Sequence, residues 1–288
     1  LAPIIIGLSI SFKIFDIQID WFVAVITIIS AILIQIGSNY ANDAYDYLKG
    51  VDNKKIRKGP KRMAEEGILS PQAILNMMYF IFIISVFMGI YLVQVGGWPI
   101  VVIGLSGIFF AITYTGGPFP LGYNGLGDIA VFIYFGLVST WGTIYLQSQS
   151  IANSVYISDY ILEIILASCA IGFLNTAILV VNNLRDYKSD KSSSKKTLVV
   201  IFGERFGCCQ YTSLLILSII AFASLGILFN NYWLLGMLIL NLVLSSYLII
   251  KIFNYQNINL NQLLEKTAKF VFLSSLLFGT SIYINIIS

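Results

Sequence analysis

The stretch from Trp21 to Asp46 reads WFVAVITIISAILIQIGSNYANDAYD. No charged residue precedes Asp43 in it, and Ile, Val, Leu and Phe dominate up to Gly37. A helix needs about 20 mostly apolar residues to cross a bilayer. The apolar positions keep no lasting period of two, so the stretch predicts a membrane helix and not a strand of an outer-membrane barrel. It ends on Asn42, Asp43 and Asp46, polar groups that are costly at the edge of hydrocarbon unless they are partnered.

The rest of the chain has the same character. Of 288 residues, 58% are hydrophobic, and only 17 are basic and 14 acidic. Mean hydropathy is +0.85. Soluble domains carry about 25% charged residues; here the share is 11%, too little to cover a soluble globule of this size. A cytosolic enzyme, an extended nucleic-acid binder and a disordered chain are excluded. The chain has no histidine, which removes His haem ligation, His zinc sites and His general-base triads. Cys169, Cys208 and Cys209 form neither a disulfide framework nor a metal-ligand spacing.

Nine segments qualify as candidate spans: 1–12, 21–44, 73–95, 98–115, 128–147, 159–182, 209–229, 232–252 and 268–287. The first is short and does not begin with Met, so Leu1 is read as lying inside a helix that starts further upstream. No basic n-region or cleavage site marks it as a signal peptide. With nine spans, Lys49, Lys54, Lys55, Arg57, Lys58, Lys61 and Arg62 share one side with Arg185, Lys188, Lys191, Lys195, Lys196 and Arg205, and with Lys251, Lys266 and Lys269. Only Lys13 falls on the other side. The positive-inside rule then places the N-terminus and the large polar loops in the cytoplasm, and the C-terminus outside.

The polar end of the opening stretch recurs. Asn42-Asp43-Ala44-Tyr45-Asp46 is matched by Asn182-Asn183-Leu184-Arg185-Asp186, offset by 140 residues. Each closes an apolar span on the same side and opens a basic loop. Four helices lie between them, so the repeat is parallel. The expected fold is an all-α polytopic membrane protein with about nine transmembrane helices. Two pseudo-repeated four-helix halves plus a ninth helix would surround a central cavity. One unit would span 1–288, with a first half of about 1–120, a second of about 121–252 and the ninth helix at about 268–287.

Asn42 and Asp46 lie four apart on one helical face, as do Asn182 and Asp186, and Asp186 and Asp190. Asp43 is offset by about 100° from Asn42, and Asp52 follows. Carboxylates stacked this way repel unless a cation sits between them. Oxygen-only ligands favour Mg²⁺ or Mn²⁺, and Mg²⁺ is usually held by one or two carboxylates together with substrate phosphates. Arg57, Lys58, Lys61 and Arg62 follow the first acidic set, and Lys195 and Lys196 the second, which completes a diphosphate clamp. Read alone, the basic residues are equally orientation signals. A third polar segment, Tyr114–Asp128, is rich in Gly and Pro and reads as a shaped loop. Asp128 there suits either a helix N-terminus or catalysis. Tyr123 and Asn124 suit either a phenolic or carboxylate substrate or the membrane interface.

At these motifs the sequence resembles the UbiA superfamily of intramembrane aromatic prenyltransferases, over nearly the whole chain. The first aspartate-rich motif is matched by Asn42 to Asp46 with Lys49-Gly50-Val51-Asp52. The second is matched by Asn182 to Asp190 with Lys195-Lys196-Thr197-Leu198. Tyr114–Asp128, continuing to Tyr145-Leu146-Gln147, is similar to the branch that serves menaquinone synthesis. Two features depart from the wider family: the gap from Asp46 to Asp52 is long, and Ser194 stands where glycine is common.

The resemblance implies prenyl transfer from a polyprenyl diphosphate to 1,4-dihydroxy-2-naphthoate, with loss of diphosphate and carbon dioxide. It implies two Mg²⁺ ions, one on Asn42, Asp46 and Asp52 and one on Asp186 and Asp190, with Asp43 and Asn183 in support. Arg57, Lys58, Arg62 and Lys195 would stabilise the leaving diphosphate, and Tyr123, Asn124 and Asp128 would orient the naphthoate. Asp46, Asp186 and Asp128 would be the catalytic carboxylates. A bacterial plasma (inner) membrane location is implied, with the site facing the cytoplasm. The competing readings are a superfamily member with another aromatic acceptor, a secondary transporter, and a phosphatidyltransferase, whose Asp-Gly-x-x-Ala-Arg string is missing.

Overall fold

The computed structural model describes residues 1–51, 59, 62–151, 155–193 and 195–287. These residues form helices and loops, and their only β contact is an isolated parallel bridge between Asn124 and Lys196. In chain order the helices are α1 (Ala2–Ile14), α2 (Trp21–Leu48), α3 (Pro71–Gly96), α4 (Trp98–Thr113) and α5 (Gly127–Phe132). A π-helical turn, Ile133–Val138, joins α5 to α6 (Ser139–Ser150), making one rod. Then follow α7 (Ile161–Ser192), the short α8 (Leu198–Phe202), α9 (Glu204–Leu228), α10 (Tyr232–Phe253) and α11 (Leu260–Ile287).

Seven helical segments are long and apolar enough to cross a membrane: α2, α3, the α5–α6 rod, α7, α9, α10 and α11. The other two expected spans are apolar helices of 13 and 16 residues, α1 and α4. Each expected segment coincides with a helix. The ends differ most where a helix outlasts its apolar stretch: α7 runs past 182 to Ser192, and α11 starts at Leu260 rather than at 268. Hydropathy reads lipid contact, whereas a helix continues as long as its backbone bonds are made. The starts follow capping chemistry. Asp20 accepts from Val23 N–H at 3.0 Å, Ser70 from Ala73 N–H at 3.2 Å and Asn231 from Leu234 N–H at 2.9 Å.

The helix α7 is the axis of the bundle. In its apolar window 61% of residues are buried, against 22% for α2 and α3, which therefore stand at the lipid-facing edge. The main core joins Ile6 and Ile10 of α1, Ile171 and Leu174 of α7, Leu215 and Phe222 of α9, Leu248 of α10 and Phe278 of α11. The α2–α4 side holds smaller clusters, around Met78, Phe82 and Ala111. Both helices that carry an acidic end, α2 and α7, pack on the next long helix, α3 and α9 respectively.

The α5–α6 rod meets α7 at two glycines. A Cβ on Gly136 would stand 2.6 Å from Gly172 Cα, and a Cβ on Gly172 would stand 3.2 Å from Gly136 Cα. Small residues permit this close approach in membranes. The π turn shifts backbone carbonyls out of the regular pattern, and Asn175 Nδ2 of α7 donates to Phe135 O at 2.9 Å.

The two ends of the bundle differ. One end is closed by neutral polar contacts, Gln147 with the Asp20 backbone and Tyr145 O–H on Gly96 O. The opposite end gathers the acidic ends of α2 and α7, the 114–126 loop and Lys195.

Candidate active site

At the end of α2, Asp46 is 3% exposed. Its Oδ1 accepts from the Tyr123 hydroxyl at 2.5 Å, and its Oδ2 from Arg62 Nη1 at 2.7 Å. Arg62 Nη1 also donates to Asn42 O at 2.8 Å. The Asn42 side chain, one turn before Asp46, accepts from Thr115 Oγ1 at 3.0 Å. Lys49 Nζ donates to Thr115 O at 2.6 Å and lies 4.7 Å from the Tyr123 ring centre. Partial burial lowers the Lys49 ammonium below its ordinary value, with Asp46 pulling the other way. Asp43 faces elsewhere: it accepts from the backbone N–H groups of Met63 and Ala64, at 3.1 and 3.3 Å. It thereby pins the segment that presents Arg62 to Asp46.

At the end of α7, Asp186 is gripped by the neighbouring Arg185. Nε meets Oδ1 at 2.8 Å and Nη2 meets Oδ2 at 2.6 Å. Arg185 also donates to Asn182 at 2.7 Å and to Asn261 of α11 at 3.3 Å. One turn on, Asp190 Oδ1 lies 3.5 Å from Lys195 Nζ, while its Oδ2 is buried and accepts no hydrogen bond among the described residues. Lys195 stands 5.4 Å from the Tyr123 ring centre. Lys196 N–H donates to Tyr123 O at 3.0 Å, and Thr197 caps α8 through Val200 N–H. Tyr123 is thus a junction: its hydroxyl holds α2, its carbonyl holds the strand-like run after α7, and its ring sits near two ammonium groups.

The two acidic ends, distant in sequence, line one cavity formed by Asp46, Val51, Arg62, Asp186, Ser189, Asp190 and Lys195. Its volume is about 10 Å³, room for about one water. The Arg62 guanidinium and the Lys195 ammonium stand against the carboxylates of Asp46 and Asp190 within it. Of the expected residues, Asp46, Arg62, Asp186, Asp190 and Lys195 come together here, with Tyr123 and Asn42 touching the same groups. Asn124 instead holds its own turn, donating to Pro120 O at 2.8 Å. Asn183 is buried on α7. Asp52, Arg57, Lys58 and Lys61 lie outside the described residues, as do Lys54, Lys55 and Ser194.

Asp128 is buried at the start of α5 and accepts from Gln210 Nε2 of α9 at 2.9 Å; Gln210 Oε1 is itself buried and accepts no hydrogen bond among the described residues. The Tyr114 hydroxyl lies beside Gly127, next to Asp128: a Cβ on Gly127 would stand 2.9 Å from it. Sequence reasoning missed Arg185, Tyr114 and Gln210 as site residues. Arg185 lies within the second motif itself, whereas Gln210 had no signal, being 82 positions from its partner.

A divalent cation fits this donor set. The carboxylates supply oxygen ligands alone, and Asp190 Oδ2 is a buried acceptor with no donor among the described residues. No three His, Cys, Asp or Glu residues among those described are close enough to hold a metal ion by themselves. Mg²⁺ matches such an incomplete set, because it commonly completes its shell with waters and substrate phosphates. Asp46, Asp186 and Asp190 are the residues that would hold it.

The placement of Asp43 leads to a prediction. Asp43→Ala should lower the melting temperature through loss of two backbone anchors, a destabilisation of about 1–2 kcal/mol. The Mg²⁺ concentration for half-maximal activity should stay within about twofold. A melting curve and a Mg²⁺ titration check this; a large Mg²⁺ shift with unchanged melting would instead make Asp43 a ligand.

A family model described as the UbiA prenyltransferase family matches residues 1–276. The 1,4-dihydroxy-2-naphthoate octaprenyltransferase of Escherichia coli (strain K12) is 34% identical over 295 residues, which cover 99% of this chain and 91% of that protein. The protein of the same name from Haemophilus influenzae is 36% identical over 220 residues, covering 73% of this chain and 68% of that protein. Among solved structures, a UbiA homolog from Archaeoglobus fulgidus bound to DMAPP and Mg²⁺ aligns with a TM-score of 0.64. It is 15% identical, covering 98% of this chain and 96% of that one, so the likeness is one of fold.

Proposed function

Because the chain belongs to the UbiA prenyltransferase family, and is thus a membrane-embedded prenyltransferase, we propose that it moves a polyprenyl group from its diphosphate to 1,4-dihydroxy-2-naphthoate. Diphosphate and carbon dioxide leave, and a demethylmenaquinol for menaquinone synthesis remains. The observation that carries this reading is the meeting of Asp46, Asp186 and Asp190 with Arg62 and Lys195 in one cavity. The names of the relatives at 34% and 36% identity support the acceptor. In this reading the chain is a single unit with α1 and α4 also crossing the bilayer. Four helices form each half, divided near residue 120, and α11 is the ninth. The basic ends face the cytoplasm of a bacterial plasma membrane.

Mg²⁺, in two ions, would supply Lewis-acid charge to the leaving diphosphate. The protein's own contribution is electrostatic. Arg62 and Lys195 turn from Asp46 and Asp190 towards the diphosphate oxygens and stabilise charge as the allylic C–O bond breaks. Arg57 and Lys58 assist from the same loop. Asp52 and Asn183 support the two acidic sets, and Asp43 fixes the Arg62 segment. Tyr123 orients Asp46 and links the two motifs. Tyr114 and the Asp128–Gln210 pair offer donors and acceptors to the naphthoate, with Asn124 shaping the loop between them. No protein nucleophile is needed, in keeping with a chain that has no histidine.

Tyr123→Phe removes the hydroxyl from Asp46. A hydrogen bond to a charged group contributes about 1.5–3 kcal/mol, so kcat/KM for the prenyl diphosphate should fall by about tenfold or more. Steady-state kinetics check this, and an unchanged kcat/KM would remove Tyr123 from the diphosphate site. The acceptor is tested with purified protein, Mg²⁺, prenyl diphosphates of several lengths, and either 1,4-dihydroxy-2-naphthoate, 4-hydroxybenzoate or homogentisate. The expected product mass is naphthoate plus prenyl minus carbon dioxide. A preference for another acceptor would overturn the assignment within the family, and solute flux without diphosphate release would indicate transport.

A further inference from the structure

On the opposite face of α7 from the acidic cavity lies a second cavity of about 550 Å³, within the usual size of a small-molecule site. It opens between the end of α7, the start of α9 and the connection that leads into α11. Its polar lining includes Arg185, Lys188, Glu204, Tyr255, Asn259 and Asn261. The two cavities share no lining residue. At about 100° per residue, Leu184, Arg185, Tyr187 and Lys188 occupy one half of the helix circumference, and Asp186, Ser189 and Asp190 the other. The bidentate Arg185–Asp186 pair links the two cavities through side chains.

We propose that this second cavity binds a phosphodiester monoanion, and that its occupancy is coupled to the diphosphate site through Arg185. The charge balance carries the argument. The charged lining residues are Arg185, Lys188 and Glu204. With Asp186 balancing Arg185, and Glu204 offsetting Lys188, the cavity is neutral overall. When Asp186 is engaged by positive charge on its own side, its hold on Arg185 weakens, and a buried guanidinium without a counter-charge is costly. Arg185 is 7% exposed and borders the second cavity, so its replacement partner must come from there. The excess charge is then one unit, which fits a phosphodiester better than a diphosphate. The guanidinium fork suits two phosphate oxygens, and Asn261 and Asn259 add neutral polar contacts. By linkage, the anion and the Mg²⁺–diphosphate must strengthen each other's binding by the same factor. This coupling rests on the diphosphate-site reading given above, whereas the anion site itself does not.

Such a phosphodiester comes either from an anionic lipid headgroup or from a soluble glycerophosphodiester. The test is retention of phosphatidylglycerol by the purified full chain in native mass spectrometry, with and without Mg²⁺ and inorganic diphosphate. Retention should rise at least about fivefold on their addition. It should fall to background in Lys188→Glu, an exposed position, and in Asn261→Leu. Soluble glycerophosphoglycerol at equal concentration should leave the lipid in place if the membrane is the source, and displace it if the headgroup alone is recognised. Lys188→Glu should keep wild-type turnover in phosphatidylcholine nanodiscs and lose its response to added phosphatidylglycerol. Retention that ignores Mg²⁺ and diphosphate would overturn the coupling, and retention unchanged in both variants would overturn the site. A protein that turns over no prenyl diphosphate would defeat the catalytic reading, while lipid retention would still decide this one.

Discussion

Asp46→Asn and Asp186→Asn should each lower prenyl transfer by about 10²- to 10³-fold, the cost of losing one preorganised electrostatic group. Both substitutions keep side-chain volume and remove a negative charge from a cavity that α2 and α7 share. Their effects on stability should differ. The Arg62 side chain is 21% exposed and can turn to water when Asp46 is neutral. The Arg185 side chain is only 4% exposed, so Asp186→Asn leaves a buried guanidinium short of its counter-charge. Breaking a buried pair costs about 3–5 kcal/mol, and the retained amide should recover part of that. Asp46→Asn should therefore melt near the wild type and Asp186→Asn below it. The double variant Arg185→Gln/Asp186→Asn should regain melting temperature without regaining activity. Product mass gives the rates and a thermal melt gives the stabilities; near-normal turnover in both single variants would contradict the shared site.

Gly136→Leu and Gly172→Leu should leave little folded protein. A Cβ on Gly136 would lie 2.6 Å from Gly172 Cα and 2.8 Å from Ser168 O, backbone atoms that cannot rotate away. On Gly172 it would lie 2.9 Å from a ring carbon of Phe132 and 3.2 Å from Gly136 Cα. A full leucine pushes the α5–α6 rod off α7, the buried axis that carries the second acidic set. Overpacking costs about 1–3 kcal/mol and more where backbone blocks relief. Gly89→Leu and Gly104→Leu are the controls. A Cβ at either meets nothing within 4 Å, so both should elute from gel filtration like the wild type. Equal elution for all four variants would refute the close approach of rod and axis.

The helices were legible because lipid contact leaves long apolar runs, and each of the nine expected segments coincides with a helix. The ends were less legible, since the last turns of α7 and first turns of α11 are polar yet helical. The acidic repeat named both halves of the cavity, because spacing of four fixes a helical face. It could not give direction within that face. Asp43 looked like a third acid of the first set, but its oxygens meet backbone N–H groups 20 and 21 residues on. Arg185 looked like an orientation signal among other basic residues, and its role as the grip on Asp186 needed coordinates. Tyr123 and Asn124 are adjacent in one loop, yet one touches Asp46 and the other its own turn. The contact of Gln210 with Asp128 follows from how α9 packs, which local sequence does not encode.

The central claim is that α2 and α7 build one diphosphate site. Calorimetric titration of a non-cleavable prenyl thiodiphosphate with Mg²⁺, into wild type, Asp46→Asn and Asp186→Asn, tests it most directly. One ligand per chain should bind the wild type, and each variant should bind at least about tenfold more weakly, a loss of about 1.4 kcal/mol or more. Two ligands per chain, or wild-type affinity in either variant, would contradict it.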